Sequence, residues 1–481
     1  MILIFFPKEN TQSIRICSAV ISFIIFLLTI FIFFQYDYRA GGFQFTSEIP
    51  WISSLGISFL LGIDGISTPM IFLTGIVTFT GVLISWGINV RVKEFFVLFF
   101  LLVAGVFGVF VSLDLFFFFF FYELAVMPMY LLIGVWGSSS DFGTFLRPKE
   151  YGAMKLMLYL VAGSILVWIA LIAVYVESGL GTFSLIALEE VRFSRGFQQV
   201  FFPMFMIGFG VLAGLWPFHT WSPDGHVAAP TSVSMLHAGV LMKLGAYGII
   251  RVGIDLMPQG SVDWMPLLMV LGTINVIYGA VSAMGQRDLK YVIGYSSVSH
   301  MGYVLMGLAT LNAIGMGGAV LQMFSHGIMT ALFFALVGAI YDRSHVRDIG
   351  VLEGLGKRMG TTSAFFAIAG LASLGLPGLS GFIAELMVFI GVFTSYNIIF
   401  GVLGIIGAGI TAVYILRLLS KVFFGPLDNR WSNLTDMTRV EFFSTSILVF
   451  FLIVVGLYPK PWMDMINSGL LPILERLVSL T

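Results

Sequence analysis

The stretch LFFFFFFYELAVMPMYLLIGVW, Leu115 to Trp136, holds one charged residue, Glu123, in 22 positions. At about 1.5 Å per residue such a helix spans roughly 33 Å, enough to cross the ~30 Å hydrocarbon core of a bilayer. Its alternative, a buried helix of a soluble protein, would need water-soluble surface elsewhere to cover it. The rest of the chain does not supply that surface. Only 10% of the 481 residues are charged and 58% are hydrophobic, with 49 phenylalanines, whereas a soluble domain carries about 25% charge.

Working outward, apolar runs of membrane-spanning length occur at 16–34, 66–87, 95–113, 115–136, 151–176, 200–217, 231–253, 265–284, 290–310, 314–341, 361–396, 399–423 and 442–460. The polar stretches between them are too short to fold alone. The chain is therefore expected to be all-α: a single polytopic membrane domain over residues 1–481. Alternating the thirteen spans puts fifteen Lys and Arg residues on one side and five on the other, which orients the basic side and the N-terminus toward the cytoplasm or mitochondrial matrix and the C-terminus outward. The N-terminal run shows no cleavage signal and is expected to be a retained helix.

The net charge of −1 and the lack of basic runs exclude nucleic acid as a partner. Cys17 is the single cysteine, so neither a disulfide framework nor a Cys-ligated metal or iron–sulfur site is expected. No phosphate-binding glycine pattern and no HxxxH or HExxH metal spacing is present. No catalytic redox site and no metal site is expected here, so any redox cofactor belongs on another chain.

Charge inside the spans is costly, about 2.5–3.5 kcal/mol per residue even on the lenient scale, and so marks function. Glu123 and Lys243 both fall near the middle of their spans and can exchange a proton if they meet. Lys155, Arg251 and Arg417 lie near helix ends, where snorkelling is expected. Two spans are interrupted: WPFHTWSPDGH at 216–226 and GLPGLSG at 375–381, the second with Glu385 just beyond. Broken backbone at membrane depth survives only where it lines a cavity, and two such breaks are what two repeated halves of a transporter would show. Five of the six histidines, His219, His226, His237, His300 and His326, lie in or at the ends of spans, where they can both accept and donate protons. The run Phe116 to Phe121 covers every face of its helix and reads as lipid-facing and packing surface.

Several segments resemble the M-type antiporter-like subunits of respiratory complex I, the proton-translocating NADH:quinone oxidoreductase. They are GIDGIS at 62–67, the Glu123 helix ending MPMY, Pro217 to Pro230, LMKLGAYG at 241–248, DLK at 288–290 leading to YSSVSHMG at 295–302, SHG at 325–327 and LPG at 376–378 through Glu385. The similarity runs over about 50–460. It implies 13–14 transmembrane helices with two inverted five-helix repeats, 95–253 and 265–423, each with a broken helix, followed by a C-terminal helix at 442–460. It also implies a role in a translocase: protons moved by this subunit, driven by quinone reduction elsewhere in the complex. Carried over, Glu123, Lys243 and Glu385 occupy the positions of the family's relay, with Glu385 at the outward exit, and His300 and His326 lie along its hydrophilic axis.

Two departures from the family pattern follow. The family's first helix is expected to be missing. Aligning Phe209 to Trp221 on the family's broken seventh helix places Leu212 where a lysine normally answers the glutamate. Lys155, His219 or His237 then takes over the input half, or the copy transfers protons differently or not at all; Lys155 is expected to bend toward Glu123. The implied partners are other membrane and peripheral subunits and lipid; NADH or another donor, flavin, iron–sulfur clusters and quinone are expected on the partners. The location expected is the bacterial plasma membrane, with the mitochondrial inner membrane as alternative. A cation/proton antiporter subunit, a membrane-bound hydrogenase or ferredoxin-linked relative, or a scaffold that no longer pumps remain the other readings.

Overall fold

The computed structural model describes residues 2–141 and 146–478. The chain opens with α1 (Thr11–Gln35), a hairpin of β1 (Gln44–Ile52) and β2 (Ile57–Ile63), then α2 (Ser67–Ile84), α3 (Val92–Val111) and α4 (Leu115–Trp136). Two short strands, β3 (Ser140–Asp141) and β4 (Leu146–Arg147), precede α5 (Lys149–Ser178), α6 (Leu185–Leu188), α7 (Arg195–Ala213) and α8 (Trp221–Ala228). Next, α9 (Thr231–Leu236), a π-helical turn (His237–Leu241), α10 (Met242–Gly248) and a second π turn (Ile249–Ile254) run on as one rod. The remainder is α11 (Pro258–Gly285), α12 (Leu289–Ala309), α13 (Ala313–Ser344), α14 (Gly360–Ser373), α15 (Ser380–Ser395), α16 (Ile398–Phe423), α17 (Arg439–Leu457) and α18 (Lys460–Val478).

Eleven helices among the described residues are long and apolar enough to cross a membrane. The 21-residue α12, diluted by serines and a histidine, and the broken pair α14–α15 complete the thirteen segments expected. Helix starts are fixed by short polar side chains: Asp114 accepts from the Phe116 and Phe117 amides, Asp288 from Lys290 and Tyr291, and Thr438 with Glu441 forms a capping box. The membrane-spanning middles of the α9–α10 rod and of the long α13 are buried, and the other helices wrap them with lipid-suited outer faces.

Each break contains glycine in the left-handed region, and the first is repaired from a neighbour. Gly214, at φ +78°, stops α7. Asn275 of α11 then accepts from the Trp216 amide at 2.5 Å and donates to the Gly214 carbonyl at 2.8 Å, satisfying backbone that the break leaves open. Between α14 and α15, Gly375 and Gly378 take φ of +69° and +95°.

Two elements were not expected. The polar stretch after α1 folds into the β hairpin, and residues 460–478 form the amphipathic α18, which buries Trp462, Met465, Ile466, Gly469, Leu470 and Ile473. The six-phenylalanine run divides as its helical periodicity requires: Phe118 is buried and Phe120 is exposed, while Phe116 and Phe119 pack against Trp168.

Candidate functional site

The buried rod of α9–α10 places Lys243 at the centre of the molecule, fully enclosed. Its ammonium donates to the Ala238 carbonyl, five residues back in the π turn, and lies 2.8 Å from Nδ1 of His326 on α13. The His326 and His300 rings are 5.4 Å apart. His300 of α12 brings Nε2 to 3.0 Å from the Ser373 hydroxyl, at the end of α14, and Nδ1 to 3.2 Å from the Glu385 carboxylate on α15. Gln322 bridges the last two, donating its amide toward His300 Nδ1 at 3.3 Å and Glu385 at 3.4 Å. Gly375 leaves the space beside that carboxylate: a Cβ there would sit 3.0 Å from Glu385 Oε2. The break thus opens room at the end of a continuous line of titratable groups, Lys243, His326, His300 and Glu385.

On the other side of Lys243, His237 and His226 stack with ring centres 4.2 Å apart, and His226 Nε2 meets the Ser222 hydroxyl at 3.0 Å. Both nitrogens of His237 and Nδ1 of His226 have no hydrogen-bond partner among the described residues. Buried imidazole nitrogens without partners are the places where water or a moving proton is accommodated. His219, in the break, is buried with both nitrogens open and its ring 4.9 Å from Tyr278.

Lys155 does not go to Glu123. Its ammonium lies 2.8 Å from Asp224 on α8, a carboxylate that also takes Arg147 and, at 2.9 Å, the Tyr291 hydroxyl. The reason is geometric: the break after α7 swings α8 against α5, so the fixed, buried carboxylate of Asp224 meets the lysine stem. Glu123 has the Ser164 hydroxyl as its polar neighbour, one carboxylate oxygen without a partner, and no basic side chain in ion-pair contact among the described residues. Leu212, where a lysine was expected to answer it, is fully buried.

Arg251 does not snorkel either. It is buried between Asp64, at the end of the hairpin, and Asp255 at 3.0 Å. Arg476 of α18 extends the cluster to Asp255 and Glu189, each at 2.6 Å. Arg417 donates to the Met284 carbonyl at 2.9 Å, near a helix end. Among the described residues, every ion pair between separate loops joins residues assigned by span alternation to the same side.

Residues 112–411 match the family described as NADH:quinone oxidoreductase/Mrp antiporter, transmembrane. The chain belongs to this family. NAD(P)H-quinone oxidoreductase chain 4 of Acaryochloris marina is 39% identical over 464 residues, covering 94% of this chain and 85% of the relative. The chain 4 protein of Gloeobacter violaceus is 37% identical over 469 residues, covering 95% and 88%. A chain of respiratory complex I from Thermus thermophilus superposes with a TM-score of 0.87 at 25% identity, covering 97% of this chain and 95% of that one. The fold is shared at 18% identity by a chain of the Mrp complex from Dietzia sp., with a TM-score of 0.83 over 96% of this chain and 92% of that one. This NADH:quinone oxidoreductase/Mrp antiporter chain is a multi-pass membrane protein.

Proposed function

We propose that the chain is the proton-translocating, antiporter-like subunit, of the M or chain 4 type, in a quinone oxidoreductase of the complex I kind. The observation that carries this is the buried line from Lys243 through His326 and His300 to Glu385, in which neighbouring groups can pass a proton directly or through one water. The two five-helix blocks, 95–253 and 265–423, are read as inverted repeats, with their breaks serving the two ends of the line. The basic side faces the cytoplasm, and Glu385 delivers outward. The electron donor, flavin, iron–sulfur clusters and quinone belong to partner subunits, and quinone reduction there supplies the driving force.

The step on this chain involves protons only. Lys243 ammonium gives a proton to Nδ1 of His326; His326 passes one on to His300, and His300 relays it to the Glu385 carboxylate, which then releases it. Recharging Lys243 resets the line. A second reading, a scaffold copy that no longer pumps, is favoured by Leu212 and by the absence of a cation at Glu123 among the described residues.

The test is proton uptake by proteoliposomes holding the assembled complex. Lys243→Met and Glu385→Gln should each bring pumping below half while electron transfer from donor to quinone persists. Normal pumping in both variants would leave the scaffold reading standing.

A further inference from the structure

If Leu212 removes the cation at Glu123, the line ending at Lys243 needs another source of protons. The structure holds a cavity of about 620 Å³ at the ends of α2, α4, α9, α12 and α13, on the side rich in Lys and Arg. Its walls include Ser85, Asn89, Ser232, Lys290, Asp342 and His345. At about 30 Å³ each it has room for on the order of 20 waters. Asp342 and His345 are exposed at its rim, whereas Lys290 is 4% exposed at its floor.

Lys290 forms no ion pair within 4.0 Å among the described residues. Its ammonium donates to the Ala229 carbonyl at 2.8 Å and the Val227 carbonyl at 3.4 Å, the backbone that ends α8. Asp288, Asp342 and Arg347 surround it at longer range. The same turn of α8 carries His226, which lies within electrostatic reach of Lys290, His237 and Lys243. A lysine held by neutral carbonyls between a polar cavity and an imidazole pair is placed to load a proton from water and pass it inward.

We propose that this cavity is the proton-uptake vestibule of the subunit and that Lys290 carries protons from it through His226 and His237 to Lys243. The inference rests on the proton-translocating reading and supplies the input half that Glu123 and Leu212 cannot. In each passage a proton leaves water at the cavity floor, protonates the neutral Lys290 amine, and is given up to the His226 side through the open imidazole nitrogens, restoring the amine. Asp342 and His345 hold water and protons at the mouth.

The test uses the assembled complex in oriented vesicles with Cys17→Ser as background. Asn89→Cys and Ser232→Cys are treated with a membrane-impermeant thiol reagent from either face, and pumping is measured for Lys290→Arg and Lys290→Met beside Lys243→Met. Both cysteines should label from the cytoplasmic face alone. Lys290→Arg keeps the charge and the carbonyl contacts but cannot release a proton, so its pumping should fall below half, as in Lys290→Met. A structural charge would be rescued by arginine. Normal pumping in Lys290→Arg, or Ser232→Cys closed to reagent from the cytoplasmic face, overturns the vestibule. If Lys243→Met also pumps normally, the translocating reading itself fails.

Discussion

Removing Asp224 should cost more than removing the lysine it holds, and the difference measures which carboxylate Lys155 serves. Asp224 is 6% exposed and binds Lys155, Arg147 and Tyr291 together, while the Lys155 and Arg147 side chains are 19% and 31% exposed. Breaking a buried pair costs about 3–5 kcal/mol and an exposed one about 0–1. The cations here can partly turn to water, so Asp224→Asn should lose about 3 kcal/mol. In Lys155→Met the aspartate keeps Arg147, so the loss should be about 1 kcal/mol, leaving a coupling of about 1–2 kcal/mol in the double-mutant cycle. The cycle of Glu123→Gln with Lys155→Met should instead be additive within about 0.5 kcal/mol. Unfolding of the purified chain in mixed micelles, followed by tryptophan fluorescence, reads both cycles. Strong coupling of Lys155 to Glu123 with none to Asp224 would refute the assignment.

Other outcomes follow from the same contacts. His300→Ala should separate Lys243 from Glu385 and lower pumping without loss of assembly, while Ser373→Ala, which removes one partner of His300, should have a smaller effect; equal losses would argue against His300 as the carrier. Arg251→Met strands the buried Asp64, while Asp255 keeps Arg476, and should destabilise by about 3–5 kcal/mol, measured by the same unfolding assay. Glu189, in the loop before α7, has its pKa pushed up to about 7 by burial and by Asp255, against the pull of Arg476. Because the folded state holds this proton more tightly than the unfolded one, Glu189 should lower stability as pH rises from about 4.5 to 7. That slope should vanish in Glu189→Gln when unfolding is compared across this range.

The spans and breaks were legible because both have one-dimensional signatures: apolar length, and Gly with Pro interrupting it. Which loops share a side was legible from the alternation of the spans, as the ion pairs between them agree. Lys243, His300, His326 and Glu385 announced themselves as polar groups in apolar runs. Asp224 did not, since its value depends on the break swinging α8 toward α5, 69 residues away in sequence from Lys155. Arg251 was misread for a similar reason: its partner Asp64 is 187 residues distant, and a helix-end position alone suits either snorkelling or pairing. The helix α18 had a readable signal, apolar residues at 462, 465, 466, 470, 473 and 477, but its low hydropathy hid it from a search for spans. The β hairpin lacked one, because most of β1 is exposed and its side chains do not alternate in burial.

The π turn at His237–Leu241 also constrains how this protein can change length. A π turn holds about one residue more than an α turn, and one residue is worth about 100° of rotation. Deleting a single residue between Ala238 and Leu241 would let the rod close into plain α-helix with the segments on either side still in phase, so Lys243 would keep facing His326, whereas a deletion in the α-helical turns of α9 would swing it by about that angle. Composition and hydropathy would hardly change, and the segment would still insert as a span. A one-residue gap at the π turn is thus absorbed by the turn itself, whereas the same gap in α9 just before it would be a functional lesion that no substitution table would register.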